Sequence, residues 1–367
     1  MRVKSISINL LRIPLKKPFI SSVRRVESTE DIVIEVETVC GLRGYGVATP
    51  SIRTSSESLD SIISVVGDVF APKLVGNDVS NLEKTLTTID HSISANAAAK
   101  ASIDIALHDL SSKAVGVPLY RFLGGRHNKI TTGISISHNC LDEMIDDACT
   151  AVSNGFTTLK IKLGSPQGIE DDLLRVQEIR RAVKKTIEIG VDANQAWSEE
   201  DALTFAERVT AIGANLSFIE QPVRSTEHHA LARISAASNI PIIADESCSS
   251  VQEAIVLTSN GLVDGLAIKL MKLGGIRCAR AAYEMARLRS KICAATCLME
   301  SPIGIAAMAS FCSGRDFRFI DLDAIALIAS NPVMGGATMA ANTVVLSEQP
   351  GLGIQGIEGL ELIKTIN

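Results

Sequence analysis

From about residue 129 onward the chain alternates, eight times over, between a short apolar or β-branched run and a stretch of helical spacing. The runs cover 130–135, 158–163, 188–193, 216–221, 241–246, 265–271, 291–298 and 317–323. Strands joined through helices run parallel, because a helical crossover returns the chain to the end of the sheet where it started. Eight such units predict a closed (β/α)8 barrel over 126–340, with the open doubly wound sheet as the alternative.

What precedes the barrel differs in period. Val3, Ile6 and Ile8 lead into Asp31-Ile32-Val33-Ile34-Glu35-Val36, and 41–47 completes a meander-like pattern. Helical spacing takes over from about 56 to 115, clearest over 97–115, and Gly116-Val117-Pro118 and Gly124-Gly125 stop it. Residues 1–125 are therefore expected to form an N-terminal α+β capping domain. The tail, 341–367, contains Thr343-Val344-Val345-Leu346 and Gly351-Leu352-Gly353-Ile354 and is expected to pack back onto it.

Composition narrows the function. The formal net charge is −5 with no basic stripe, which argues against a nucleic-acid partner. No apolar run is long enough to span a bilayer, and Met1-Arg2-Val3-Lys4 alternates like a strand and lacks a secretory core. The eight cysteines are scattered without a CxxC pair; Cys293 and Cys297 stand four apart with no matching second pair. This pattern points to a reducing cytoplasm rather than a zinc site or a disulfide framework.

Charged residues inside a buried barrel strand should be rare. Here they recur at the C-terminal ends of the strands: Lys160 and Lys162, Asp192, Glu220, Asp245 and Glu246, Lys269, and Asp321 with Asp323. Asp192, Glu220, Asp245 and Lys269 follow one another at intervals of 28, 25 and 24 residues, each about one βα unit. The charges are thus expected on one rim, the face where such barrels place their active sites. Three carboxylates from successive strands suit a hard cation with oxygen ligands, so Asp192, Glu220 and Asp245 are the predicted Mg²⁺ ligands. The plainer alternative is that each acid caps the next helix or neutralises a lysine.

Lys160 and Lys162, two apart in a strand, point to the same side, and Lys269 comes four strands later, across the barrel. Two lysines flanking one substrate allow a proton to leave one face of a carbon and return to the other. A neighbouring ammonium and a nearby cation are expected to press such a lysine toward neutrality, Lys160 acting on Lys162. Lys160 could also donate to a substrate carboxylate. Removing a proton beside a carboxylate builds an enediolate, whose charge a divalent ion stabilises.

With these residues in place, the chain resembles the muconate-lactonizing subgroup of the enolase superfamily over essentially its whole length. The resemblance is carried by Ala101-Ser102-Ile103-Asp104-Ile105-Ala106-Leu107-His108-Asp109-Leu110, by the Lys-x-Lys pair, by the Asp192, Glu220, Asp245 series, and by Ile268-Lys269-Leu270-Met271-Lys272-Leu273-Gly274-Gly275. A lysine base beside Mg²⁺ is a general property of that superfamily, known apart from this chain. Within the subgroup it is most similar to the dipeptide epimerases, marked by an Asp-x-Asp at the eighth strand, here Asp321-Leu322-Asp323. The resemblance implies a dipeptide substrate whose ammonium is held by Asp321 and Asp323, epimerised at its C-terminal residue, with one Mg²⁺ per subunit. It further implies that Arg24, in a loop of the capping domain, pairs with a glutamate side chain, as in Ala-Glu. Ser135, Cys297 and Met299 would line the substrate. A homo-oligomer and a place in murein peptide recycling go with it. Muconate cycloisomerase and o-succinylbenzoate synthase share the lysines and ligands but need no ammonium clamp, and a non-catalytic binding barrel would not need the opposed lysines. One departure is Gly46-Val47-Ala48, where family members often carry Gly-Glu-Ala.

Overall fold

The computed structural model describes all 367 residues. Its N-terminal portion is built on an antiparallel hairpin of two long strands, Val3–Ser21 and Arg24–Thr38, with Arg43–Ala48 on one edge and the C-terminal strand Glu361–Ile366 on the other. Side chains alternate across this sheet. Ile32, Ile34 and Val36 face the helices of the same portion, whereas Val33, Leu11 and Ile13 join the barrel's core. Val47, at the position of the family departure, is fully buried in that same core.

Helix Ala97–Ala114 lies between the sheet and the barrel and is buried on nearly every side. It approaches the strand Arg43–Ala48 so closely that a Cβ at Gly46 would sit 1.8 Å from the Ser102 carbonyl oxygen. The charges of this helix are structural. Asp104 accepts from the Ile276 N–H (2.6 Å) and so caps helix Ile276–Leu288 of the barrel. Asp109 accepts from the Tyr45 and Leu352 N–H groups and from Lys113.

The eight parallel strands are Ile134–Ile136, Thr158–Lys162, Glu188–Asp192, Leu216–Glu220, Ile242–Ala244, Gly265–Ile268, Ile292–Thr296 and Phe319–Asp321, each paired with its sequence neighbour. The first is shorter than the run 130–135 predicts. Lys129–Thr131 leaves the barrel and pairs antiparallel with Thr343–Leu346, so one apolar run serves two sheets. The ring closes between the first and last strands through the Gly133 N–H to the Ile320 carbonyl (2.8 Å), the Leu322 N–H to Thr132 Oγ1 and the Ser135 N–H to an Asp323 oxygen. The sixth strand likewise ends earlier than 265–271, because Leu270–Leu273 is a helical turn. No helix is long and apolar enough to cross a membrane.

Candidate active site

The barrel interior has a floor of Phe218, Ile243, Ala267, Ala294 and Phe319, with the two phenylalanine rings 4.4 Å apart. Gly190 completes it: a Cβ there would fall 2.1 Å from the Phe218 ring. Side chains two residues apart in a strand share a face. Moving two residues on from Gly190, Phe218, Ile243, Ala267 and Phe319 therefore gives Asp192, Glu220, Asp245, Lys269 and Asp321, all above the floor at the C-terminal rim. Register agrees: Ser135 pairs with Lys160, Lys162 with Asp192, and Asp192 with Glu220. Lys162 and Lys269 belong to strands four apart in a ring of eight and so lie on opposite sides of the mouth.

Every one of these groups is buried, and the amines and acids are paired. Lys162 donates to Asp192 (2.6 Å) and Lys269 to Asp245 (2.5 Å), while Lys160 bridges Asp321 and Glu220. Asp245 is also held by the fully buried Lys272 (2.7 Å). Burial alone would raise its carboxyl, but the two lysines outweigh it and hold Asp245 far below the usual range. The same attraction acts in reverse on the amines. Burial opposes the charge on Lys160, yet Asp321, Glu220 and Asp192 hold its ammonium well above the ordinary lysine value. Lys269 is pushed up in the same way, chiefly by Asp245 and Glu220 against burial. At these two positions each amine sits on a carboxylate, and attraction wins over desolvation.

His, Cys, Asp and Glu residues do not form a preassembled metal cluster of three or more. The chemistry of the rim nevertheless fits a hard cation. Glu220 Oε1, Glu246 Oε2 and Asn194 Oδ1 are buried without a hydrogen-bond partner, at the ends of the fourth, fifth and third strands. All are oxygens, and unpartnered buried oxygens of this kind are costly unless something positive meets them. Burial pushes Glu220 up, reinforced by Asp192 and Asp245. Asp192, Glu220 and Asp245 are the strand-borne carboxylates that could supply the remaining ligands.

The mouth is lined, among others, by Arg24, Ser135, Cys297, Met299, Asp321 and Asp323. Asp323 accepts from the Ser135 N–H (2.7 Å) and the Cys297 thiol (3.7 Å). Burial, with Asp323 beside it, pushes the Cys297 thiol up, so it is a donor rather than a nucleophile. Asp321, predicted to grip a substrate ammonium, is here occupied by Lys160. Arg24 is half-buried and has no ion-pair partner; burial lowers its pKa, countered by Glu246.

Several residues in the site do not stand out in the sequence. Gln221 orients the fifth-strand end by accepting from the Asp245 (2.9 Å) and Ser247 (3.1 Å) N–H groups. Asn194 donates from its backbone to Asp192 (2.8 Å) and from its side chain to Glu246 (3.3 Å). Lys272 shows in the sequence only as part of a longer motif; its i+3 spacing from Lys269 is the signal that marks it. Arg53 also reaches the mouth, from a second loop of the N-terminal portion.

A closed parallel barrel with opposed amines and an oxygen-rich rim has the makings of an acid–base enzyme that uses a hard cation. Comparison supplies the family. Residues 5–124 match the mandelate racemase/muconate lactonizing enzyme N-terminal domain, and 143–358 match the enolase C-terminal domain-like model; the chain belongs to this family. It is 36% identical to an L-Ala-D/L-Glu epimerase of Clostridium acetobutylicum, covering 97% of this chain and 99% of that one. Among solved structures it superposes on a substrate-liganded complex of the L-Ala-D/L-Glu epimerase from Bacillus subtilis, with a TM-score of 0.95, 33% identity and coverage of 97% and 99%. It also superposes on a dipeptide epimerase from Enterococcus faecalis V583 complexed with Mg and L-Leu-L-Tyr, with a TM-score of 0.93, 35% identity and coverage of 97% and 100%.

Proposed function

We propose that this enzyme epimerises dipeptides at the α-carbon of the C-terminal residue, with L-Ala-D/L-Glu as its substrate pair. The chain is a dipeptide epimerase, an isomerase, with Mg²⁺ as its cation. The observation that carries the reading is the placement of Lys162 and Lys269 on opposite sides of one buried, oxygen-lined mouth, in a chain whose similar relatives include L-Ala-D/L-Glu epimerases. In this reading one lysine takes the α-proton from one face and the other returns a proton to the opposite face. Lys160 faces the substrate carboxylate. Asp321 and Asp323 hold the dipeptide ammonium, Asp321 releasing Lys160 as it does so. Ser135, Cys297 and Met299 form the wall. Asp192, Glu220 and Asp245 would hold Mg²⁺, which when bound supplies positive charge next to the carboxylate and so makes the neighbouring proton easier to remove.

The preference for glutamate rests on Arg24. A half-buried guanidinium without an acidic partner favours a carboxylate, which it can meet with two parallel hydrogen bonds. A cycloisomerase or o-succinylbenzoate synthase reading leaves the Asp321–Asp323 pair and Arg24 without a task, and a non-catalytic barrel leaves the two lysines without one. The eight free cysteines support a cytoplasmic place. Recycling of peptidoglycan peptides and a homo-oligomeric state complete the proposal, on the family resemblance alone.

Incubation with Mg²⁺ and a library of dipeptides in D₂O tests it. The expected result is a one-deuterium mass gain at the C-terminal α-carbon, largest for L-Ala-L-Glu. No exchange with any dipeptide would overturn the epimerase assignment, and exchange confined to apolar C-terminal residues would overturn the glutamate preference.

A further inference from the structure

Residues 297–299 form part of the substrate wall, yet no strand or helix holds them. The seventh strand ends at Thr296, and helix Pro302–Cys312 begins only after Ser301. Two buried carboxyl groups hold this segment instead. Glu300 Oε1 accepts from the Leu298 N–H at 3.2 Å, folding the segment back on itself. Asp31, on the strand Arg24–Thr38, accepts from the Ser301 N–H at 2.6 Å, and its other oxygen accepts from Thr49 Oγ1 at 2.6 Å. The wall is thereby fastened to the N-terminal sheet.

Glu300 is an unusual place for an acid. It is 3% exposed and makes no ion pair, and its Oε2 is buried with no partner. Gly304 makes room for it, since a Cβ there would lie 2.1 Å from Oε2. The charged groups acting on it are Asp31 from the N-terminal sheet and Lys269 from the end of the sixth strand. Burial, with Asp31 beside it, pushes its carboxyl up to about 8. Asp31 itself is raised by burial to about 6.

We propose that Glu300 is a positioning residue for the reaction: its carboxyl shapes the 297–299 wall against the substrate at the point where Asp31 fastens that wall to the N-terminal sheet. The working form is the neutral acid, because an anion there would face Asp31 in a buried interface against only the weaker pull of Lys269. A glutamine mimics the neutral acid, with one oxygen to accept from Leu298 and an uncharged NH₂ group in place of the hydroxyl. Raising the pH ionises Glu300 in the wild type, loosens the wall and weakens substrate binding.

The inference rests on the dipeptide-epimerase reading. The experiment compares Mg²⁺-loaded wild type, Glu300→Gln and Glu300→Ala on L-Ala-L-Glu between pH 7 and pH 9.5. At pH 7, Glu300→Gln is expected to keep kcat/KM within about threefold, and Glu300→Ala to lose about 30-fold, mostly through KM. As the pH rises, the ratio of Glu300→Gln to wild-type kcat/KM is expected to climb about tenfold, because groups common to both cancel and only the wild type has a proton to lose at position 300. A ratio that stays flat would assign any alkaline loss to the lysines and overturn the proposal. So would a folded Glu300→Gln as damaged as Glu300→Ala at pH 7. If Glu300→Ala does not fold, the Glu300→Gln ratio alone decides. A wild type that turns over no dipeptide would instead sink the functional reading, an outcome distinct from either.

Discussion

Lys162 and Lys269 each hold a carboxylate of a neighbouring strand, Asp192 at 2.6 Å and Asp245 at 2.5 Å, from opposite sides of the same mouth. In the proposed reaction the two amines serve the two faces of the substrate bound between them, and neither substitutes for the other. Lys162→Ala and Lys269→Ala are each expected to reduce epimerisation by about 10³-fold, the scale of losing a positioned acid–base group. Each variant should still wash deuterium into one diastereomer of the dipeptide, a different one in the two cases, because the remaining lysine serves one face. Mass spectrometry on separated L,L and L,D substrates reads this directly. Full epimerisation in both variants would refute the two-base assignment.

The proposed preference for an acidic residue rests on Arg24. Its guanidinium lines the mouth and is free of any ion pair. A charge-assisted pair with the substrate side chain contributes roughly 1.5–3 kcal/mol, so Arg24→Ala should lower kcat/KM for L-Ala-L-Glu by about 10- to 100-fold. The same substitution should change turnover of L-Ala-L-Gln far less, since the amide never made that pair. Equal losses on the two substrates would place Arg24 in loop structure rather than in specificity.

The eight-unit rhythm of the barrel is legible in the sequence because each strand is a short buried run bounded by helices, and the rim charges stand out against that apolar background. The lysines and acids thus reveal themselves by being where burial disfavours them. What the sequence hides is choice of partner. Nothing in 130–135 tells that Lys129–Thr131 joins another sheet, because both environments ask for the same apolar side chains. The motif containing Asp104 does not announce that this acid's partner is a helix N-terminus 172 residues away. Gln221 and Asn194 orient ligand candidates through backbone and amide contacts that leave no periodic signature. Glu300 is harder still, since only the three-dimensional packing shows it to be dry.

Removal of the cation should separate the rim acids from ordinary ion pairs. With Mg²⁺ at about 100 times its dissociation constant, binding to the folded state adds about 2.7 kcal/mol of stability. The thermal midpoint of the chelated protein is therefore expected to rise when Mg²⁺ is restored, and turnover to return with it. In Asp192→Asn and Asp245→Asn the Mg²⁺-dependent rise should shrink or vanish, because the orphaned oxygens of Glu220, Glu246 and Asn194 cannot complete a site alone. Unchanged turnover in excess chelator would remove Asp192, Glu220 and Asp245 from the role of ligands.

The buried acid at Glu300 also makes a prediction about stability that needs no substrate. Burial raises its folded-state value to about 8, whereas an unfolded glutamate titrates near 4.3. Between about 4.3 and 8 the folded state binds the extra proton, so the stability that the neutral acid contributes is complete below about 4.3 and is lost as the pH rises through about 8. Glu300→Gln has no proton to lose. Its stability relative to wild type should therefore increase across that window, and its urea midpoint should gain on the wild type between about pH 5 and pH 9. The neighbouring Asp31, raised by burial to about 6, is present in both proteins, so the comparison isolates the change at Glu300. A midpoint difference that is the same at both ends of the range would mean that Glu300 is ionised throughout, with Lys269 reaching it more effectively than burial opposes its charge.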